Sequence, residues 1–332
     1  MDNISQATWN SVAWVMLLAA IVCYGALALM LRHRWPGQAI DRPNQRSLHT
    51  IPTPRMGGLG IACSLLVCAF VMTALGHYPS TPVLTAIIGY ASLTLLSLID
   101  DIYTLPALPR LLGHLFVAAL TSWAIGINLL WLPLATLLLA WSANLFNFMD
   151  GADGLAGGMA LIGFSAFALA AGLNSHFDLA LLCAAISAAS VAFLRFNLPP
   201  ARLFMGDCGS IPLGFSAGFI GLYGAIAAIW PPWFGVILFF PFCFDASLTL
   251  LWRAWRRQPL GKAHREHLYQ RAVLSGLSHW GLLHRAYALM LASAVLAGIS
   301  YSASSTVAAF IIMFQFLIGL MLFRRIRRLH SP

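Results

Sequence analysis

Eleven stretches of this chain are long and apolar enough to cross a bilayer as helices: 9–31, 57–76, 83–99, 110–126, 129–149, 155–173, 178–196, 211–229, 233–252, 284–300 and 304–323. A hydrocarbon core of ~30 Å takes ~20 helical residues, with ~17 as the practical minimum. In that solvent every backbone N–H and C=O needs an internal partner, so the stretches read as helices. The residues AVILMFWYC make up 60% of the chain, charged residues only 9%, and the mean hydropathy is +0.81. A soluble domain is about 25% charged, so this chain cannot coat a water-facing globule, and disordered or fibrous readings fail with it. The expectation is an all-α integral membrane protein of about 11 transmembrane helices, one polytopic domain over 1–332 without internal repeats. The first stretch reads as an uncleaved helix, because the residues before it carry Asp2 and no Lys or Arg, unlike a signal peptide. The six cysteines show no CxxC spacing and read as small apolar packing residues.

The cations sort by side. All 19 Lys and Arg follow odd-numbered stretches. They lie in 32–55, at Arg110, at Arg195 and Arg202, in 253–285, and in the terminal RRIRR cluster. The alternate connections, around His77, Gly126, His176, Trp230 and Tyr301, carry none. Excess Lys/Arg marks the cytoplasmic side, which puts the N-terminus outside and the C-terminus in the cytoplasm. The net charge of +9 is therefore a topology signal and not a nucleic-acid footprint, and RRIRR reads as an anchor to anionic lipid heads. The cytoplasmic working loops are 32–56, 100–110, 149–154, 197–210 and 253–283.

Ten acids remain, and Asp100, Asp101, Asp150, Asp153, Asp207 and Asp245 sit beside or inside the stretches. Each costs ~2.5–3.5 kcal/mol at mid-membrane and less near the interface. Asp100, Asp101 and Asp150 end helices, where the macrodipole disfavours a carboxylate by ~0.3–1 kcal/mol, so capping does not explain them. In NLFNFMDGADGLAGG (144–158), Asn144, Asn147, Asp150 and Asp153 recur at three-residue steps, with glycines that admit a close backbone or phosphate. The structural alternative for Asp153 is an N-cap of the sixth helix. In FMGDCGS (204–210), Ser210 can cap the eighth helix, but Asp207 has no such explanation. Asp245, inside the ninth stretch, is either a structural partner for an arginine or part of the site. Carboxylates converging near arginines suggest Mg²⁺ with a phosphate-bearing substrate. In KAHREHLYQR (262–271), His264, Arg265 and His267 read as a cationic, hydrogen-bonding loop for a diphosphate, with a solvated face as the alternative. Arg46, His49 and Arg55 can add phosphate contacts, with positive-inside anchoring as their alternative.

Together, RPNQRSLHTIPTPRMGG (42–58), IDDIYTLPALPRLLGH (99–114), NLFNFMDGADGLAGG, FNLPPARLFMGDCGSIPLGF (196–215) and KAHREHLYQR resemble the polyprenyl-phosphate N-acetylhexosamine-1-phosphate transferases of glycosyltransferase family 4. The likeness is greatest to the branch that initiates O-antigen and enterobacterial common antigen. The resemblance implies a bacterial inner-membrane enzyme with its site on the cytoplasmic face. Polyprenyl (undecaprenyl) phosphate would attack the β-phosphorus of a UDP-N-acetylhexosamine, releasing UMP and leaving polyprenyl-diphosphate-HexNAc in the membrane. The sugar stays open among GlcNAc, FucNAc and QuiNAc, and a homodimer is compatible with it.

The resemblance also assigns roles. Asp100 and Asp101 match paired aspartates, one proposed to deprotonate or orient the lipid phosphate. Asp207 matches a Mg²⁺ ligand (with Mn²⁺ as a substitute ion), and Asn147 a contact to the metal–diphosphate. Asp153 matches a uridine-binding position and Arg110 a basic residue near the diphosphate. His264, Arg265 and His267 match a His-rich loop over the nucleotide-sugar, with His264 counted among the catalytic residues. His114 departs from the Gln of many relatives. An intramembrane prenyltransferase would need an acid at position 104, which is Thr104, and a nucleotide-sugar or lipid transporter would place its charges near mid-membrane.

Overall fold

The computed structural model describes residues 2–33, 39–43, 48, 51–103, 105–259, 261 and 264–328, with the side chains of the first helix from residue 10 onward. Among them are thirteen helices: α1 (Asp2–His33), α2 (Gly58–Ala74), α3 (Thr81–Tyr103), α4 (Ala107–Ala124), α5 (Leu132–Phe148), α6 (Leu155–Leu173), α7 (Phe177–Asn197), α8 (Asp207–Ile226), α9 (Phe234–Leu238), α10 (Phe240–Trp255), α11 (Leu268–Leu274), α12 (His279–Ser300) and α13 (Ser305–Arg328). Every apolar stretch is occupied by helix. Seven helices, α1, α3, α6, α7, α8, α12 and α13, have the length and hydropathy to cross a membrane, while α2 and α5 are apolar but shorter, at 17 residues. The chain is thus an all-α membrane protein in the main.

Three local features depart from the sequence expectation. The connection between α1 and α2 holds a two-residue ribbon, β1 (Ile40–Asp41) antiparallel to β2 (Thr53–Pro54), because its backbone groups also need partners. The ninth stretch is not one helix, since it breaks at Phe239 between α9 and α10. Pro241 has no N–H to give the carbonyl of Ile237, and Gln315 Nε2 of α13 donates to that oxygen at 3.2 Å instead. The eighth helix begins at Asp207, four residues earlier than the apolar pattern, and so Ser210 is not its cap.

The bundle is polarised in the manner of a protein dissolved in lipid. Phe70, Leu129, Leu130, Trp131 and Trp255 face outward, whereas Asp100, Asp101, His114, Asn197, Asp245 and Arg253 are buried. Inside, α8 packs between α3 and α5, and α7 lies against α1 and α6. Aromatic rings fill the joint between α5, α6 and the broken helix: Phe146 meets Phe242 at 5.1 Å, and Phe167 meets Trp230 at 5.0 Å and Phe239 at 5.6 Å. Small residues let backbones touch elsewhere. A Cβ on Gly58 would fall 2.2 Å from the Cα and N of Gly209, so α2 and the start of α8 meet backbone to backbone. That contact continues outward as Gly58 N–H donating to Met205 O (2.8 Å), Gly57 N–H to Phe204 O (2.9 Å) and Phe204 N–H to Pro54 O (2.7 Å).

Gly58→Ala is expected to lower the melting temperature of the detergent-solubilised protein, at an overpacking cost of ~1–3 kcal/mol. Gly25→Ala, where a Cβ meets nothing within 4 Å, should leave it unchanged. Equal melting temperatures for the two variants would show that α2 and α8 are not in backbone contact.

Candidate active site at one end of the bundle

The end of α3, the start of α4, the end of α5 and the start of α8 meet at one end of the bundle and bring four aspartates together. Asp100, Asp101 and Asp207 are each held by a different device. Asp100 accepts from the Leu105 backbone N–H through Oδ1 and from Arg110 Nη1 through Oδ2, both at 2.8 Å. These bonds offset the unfavourable macrodipole at the end of α3. Asp101 Oδ1 is 3.1 Å from Arg55 Nη2, and its buried Oδ2 has no hydrogen-bond partner. Asp207 opens α8, where the exposed backbone N–H groups and the positive dipole end favour a carboxylate. Its Oδ1 accepts from Asn147 Nδ2 at 2.9 Å, and its Oδ2 is 3.7 Å from Arg110 Nη1. Arg110 thereby bridges the carboxylates of α3 and α8.

Gly206 makes this convergence sterically workable. It has φ +75°, and a Cβ there would lie 2.0 Å from the Arg55 carbonyl oxygen and 3.4 Å from Asp101 Oδ2. A glycine alone adopts this conformation without strain and admits that approach. Asp150 follows α5 in the same region. Burial, reinforced by the nearby Asp207 and Asp101 carboxylates, pushes its carboxyl well above the ordinary carboxylate range. The cluster is short of positive charge: Asp100, Asp101 and Asp207 share two guanidinium groups, those of Arg55 and Arg110, with Asp150 beside them.

That deficit bears on a divalent cation. Among the described residues no three His, Cys, Asp or Glu side chains converge as a ready-made metal cage. Mg²⁺ does not need one, because it takes one or two carboxylates and completes its shell with water and phosphate oxygens. The unpartnered Asp101 Oδ2, the Asp207 carboxylate and the carbonyl oxygen of Asn147 are hard oxygen donors of the right kind. The residues therefore fit the ion that the sequence pattern suggested. Asn147 also donates to Ser210 Oγ at 3.0 Å, so Ser210 serves the site by orienting Asn147.

The His-rich loop is seated beside this cluster by contacts that sequence reasoning missed. Tyr269 O–H donates to the Phe148 carbonyl at 3.0 Å. Gly151 leaves room for that hydroxyl, which a Cβ would meet at 2.2 Å. Asp245 proves to be the N-terminal anchor of α11. Its Oδ1 accepts from Leu268 N–H (2.8 Å) and its Oδ2 from Tyr269 N–H (3.3 Å). Among the described residues it pairs with no arginine, its ionic neighbour being His267 at 3.5 Å, and it stands outside the carboxylate cluster. Glu266 forms a close ion pair with Arg253, and Arg256 and Arg327 approach its other oxygen at 3.7 and 3.6 Å. The His264 and His267 rings lie 5.0 Å apart, with buried His267 stacked between Phe148 and Tyr269. Burial, with His267 and Arg253 nearby, brings the His264 imidazole down to about 4. No one-dimensional pattern marked Tyr269, whose partner lies 121 residues away, and none could show that Asp245 finds its partner 23 residues on.

The other candidates are placed differently. Asp153 is not the N-cap of α6, which is Gly154. Its Oδ2 accepts from Ala201 N–H at 3.0 Å and lies 3.8 Å from His279 Nδ1, tying the connection after α7 to α12. Beside it, Asn197 accepts from Gly154 N–H and donates to Leu203 O, both at 2.9 Å. Asn144 donates to its own helix at Ala140 O. Arg265 is exposed on the loop. Arg46 and His49 lie outside the described residues.

Comparison with known proteins accords with this geometry. The profile of glycosyl transferase family 4 matches residues 83–225, which carry Asp100, Asp101, Asn147 and Asp207. The chain is 31% identical over 258 residues to the probable undecaprenyl-phosphate N-acetylglucosaminyl 1-phosphate transferase of Bacillus subtilis, covering 73% of this chain and 71% of that protein. It is 30% identical over 316 residues to the decaprenyl-phosphate N-acetylglucosaminephosphotransferase of Mycobacterium leprae, 81% of this chain and 79% of that one. Against the phospho-N-acetylmuramoyl-pentapeptide-transferase of Halalkalibacterium halodurans it is 34% identical over 203 residues, 53% and 60% of the two chains. With a matching profile over its central helices and relatives covered across more than two thirds of their length, the chain belongs to glycosyl transferase family 4, among the polyprenyl-phosphate N-acetylhexosamine-1-phosphate transferases.

Proposed function

We propose that this protein transfers HexNAc-1-phosphate from a UDP-N-acetylhexosamine to undecaprenyl phosphate at the cytoplasmic face of a bacterial inner membrane. The product would open the synthesis of a surface polysaccharide of the O-antigen type. The observation that carries the reading is the meeting of Asp100, Asp101 and Asp207 with Arg55 and Arg110 beside Asp150, where one buried carboxylate oxygen is left without a hydrogen-bond partner. The cation sorting supports eleven crossings with the N-terminus outside, which turns this end of the bundle to the cytoplasm. Two of the relatives named above are N-acetylglucosamine enzymes, which supports an N-acetylhexosamine donor.

Chemically, an oxygen of the lipid phosphate forms a bond to the β-phosphorus while the bridging oxygen to the α-phosphorus leaves with UMP. Both reactants are anions, so the protein's task is to position them and offset their repulsion. Asp101 Oδ2, which faces no side-chain donor, can accept the proton of the lipid phosphate or orient its oxygen. Asp100 holds Arg110 in place, and Arg110 and Arg55 offer cationic N–H groups to phosphoryl oxygens. Mg²⁺ bound at Asp207, with Asn147, would supply charge neutralisation at the diphosphate. In this reading His264, with His267 stacked on Phe148 beside it, would hydrogen-bond the nucleotide-sugar.

Three outcomes are expected. Asp207→Asn should abolish Mg²⁺-dependent UMP release from purified protein supplied with undecaprenyl phosphate and UDP-sugars, while membrane insertion is normal. Retained turnover would remove Asp207 as a ligand. Asp101→Asn should lower kcat by ~10²-fold or more, the scale of a lost general base, and by more than Asp100→Asn does, with UDP-sugar affinity little changed. The reverse order would hand the proton to Asp100.

The third concerns pH. His264 sits near 4 when folded against an ordinary 6.5, so the folded loop favours the neutral ring. Loop stability linked to it is complete above 6.5 and declines as the pH falls toward 4. Amide exchange at Glu266–Tyr269, corrected for intrinsic rates, should show weakening protection across that window, and His264→Gln should flatten the dependence. An unaltered profile in the variant would rule His264 out as its source. The same variant should raise KM for the UDP-sugar.

A further inference from the structure

Where α10, α11 and α13 meet, one carboxylate is surrounded by more cations than it can satisfy. Glu266 is paired to Arg253, with Arg256 and Arg327 within 3.7 and 3.6 Å. Arg327 lies over Trp252 at 4.4 Å and over Phe323 at 4.6 Å, and Arg271 of α11 is within electrostatic reach of it. Asp245, the neighbouring acid, spends both oxygens on the start of α11. Three guanidinium groups therefore share Glu266, and a fourth, that of Arg271, adds its charge beside Arg327.

Hydrogen bonding is incomplete in the same corner. Among the described residues, Trp252 Nε1, Arg253 Nε, Arg271 Nε, Arg327 Nε and Arg327 Nη2 are buried donors without a hydrogen-bond partner. Each buried donor left unmade costs ~1–3 kcal/mol, more where charged. Gln258 Oε1, an unpartnered acceptor nearby, is a single oxygen and cannot serve five N–H groups. An anion with several acceptor oxygens would relieve both the unmet donors and the cation–cation repulsion. Guanidinium forks match the tetrahedral oxygens of a phosphate group.

The setting narrows the source. Trp252 and Trp255 pair at 5.0 Å, and Trp255, Leu251 and Met321 present exposed apolar surface along α10 and α13. Tryptophan marks the membrane–water interface, so an acyl chain can lie on this surface while its headgroup reaches the arginines. We propose that Trp252, Arg271 and Arg327 form a binding site for the phosphate group of an anionic phospholipid, distinct from the carboxylate cluster. Because Arg327 also pairs with Glu266, the bound lipid would brace the loop that carries His264 and His267. Exposed Arg324 and Arg325, on the same turn of α13, provide only diffuse attraction.

The test is native mass spectrometry of the full chain in detergent, titrated with phosphatidylglycerol and, separately, phosphatidylcholine. Arg271→Gln with Arg327→Gln should weaken phosphatidylglycerol binding by about tenfold or more, the size of one lost charge-assisted hydrogen bond, and leave phosphatidylcholine binding unchanged. Trp252→Phe keeps the ring under Arg327 but deletes one donor, and should weaken the same lipid without unfolding the corner. Arg324→Gln with Arg325→Gln should have a much smaller effect. Equal losses from the two double variants, or no loss from Arg271→Gln with Arg327→Gln, would overturn the site. Displacement of the lipid by inorganic phosphate alone would overturn its assignment to a lipid headgroup.

Discussion

Carboxylates at the end of a membrane bundle repel one another and are poorly solvated, so their gathering has to be held in place by fixed positive charge. Here Arg55 and Arg110 do this work. Arg110 links Asp100 on α3 to Asp207 on α8, and Arg55 brings the ribbon segment onto Asp101. Remove these links and α3, α4 and α8 have no reason to meet acid to acid. Two guanidinium groups do not neutralise the three carboxylates of Asp100, Asp101 and Asp207, and burial together with those neighbours raises the proton affinity of Asp150. That imbalance is what supports the proposal of a further cation shared with phosphate oxygens.

Around this cluster the chain uses its few remaining acids to position backbone. Asp245 terminates the exposed N–H groups of α11, Glu266 collects arginines from α10 and α13, and Asp153 fastens the connection before α8 to the start of α12. Each is an N–H or guanidinium contact to a charged oxygen, among the stronger hydrogen bonds available away from water. The consequence is a loop whose histidines are aligned by Phe148 and Tyr269. Polar groups in this protein thus divide between two tasks, gathering charge at the site and bracing the elements that frame it.

Much of the site was legible in advance, for definite reasons. Asp100, Asp101 and Asp207 stood out because helix-end or helix-start acids in an apolar chain are expensive, and no local cap accounted for the first two. Asp245 and Asp153 were costly for the same reason, and in the fold each accepts from backbone N–H groups. The transfer cost of a carboxylate says that it must have a partner and not whether that partner is a backbone amide or a substrate. Ser210 illustrates the converse: a serine near a helix start resembles a cap, but α8 begins earlier, at an aspartate whose charge suits the dipole, and the hydroxyl turns to Asn147.

From the sequence by itself followed the lipid solvent, the helical class, the apolar intervals and the segregation of charge, because these are sums of transfer free energies over consecutive residues. The family pattern was equally visible, being carried by short contiguous blocks. Tertiary structure alone decided which carboxylate meets which arginine, where the ninth interval breaks, and how Tyr269 and Asp245 seat the histidine loop. Those outcomes depend on atoms brought together from segments far apart in the chain, and the free energy of such a contact belongs to the pair and to its burial, not to either residue where it stands in the sequence.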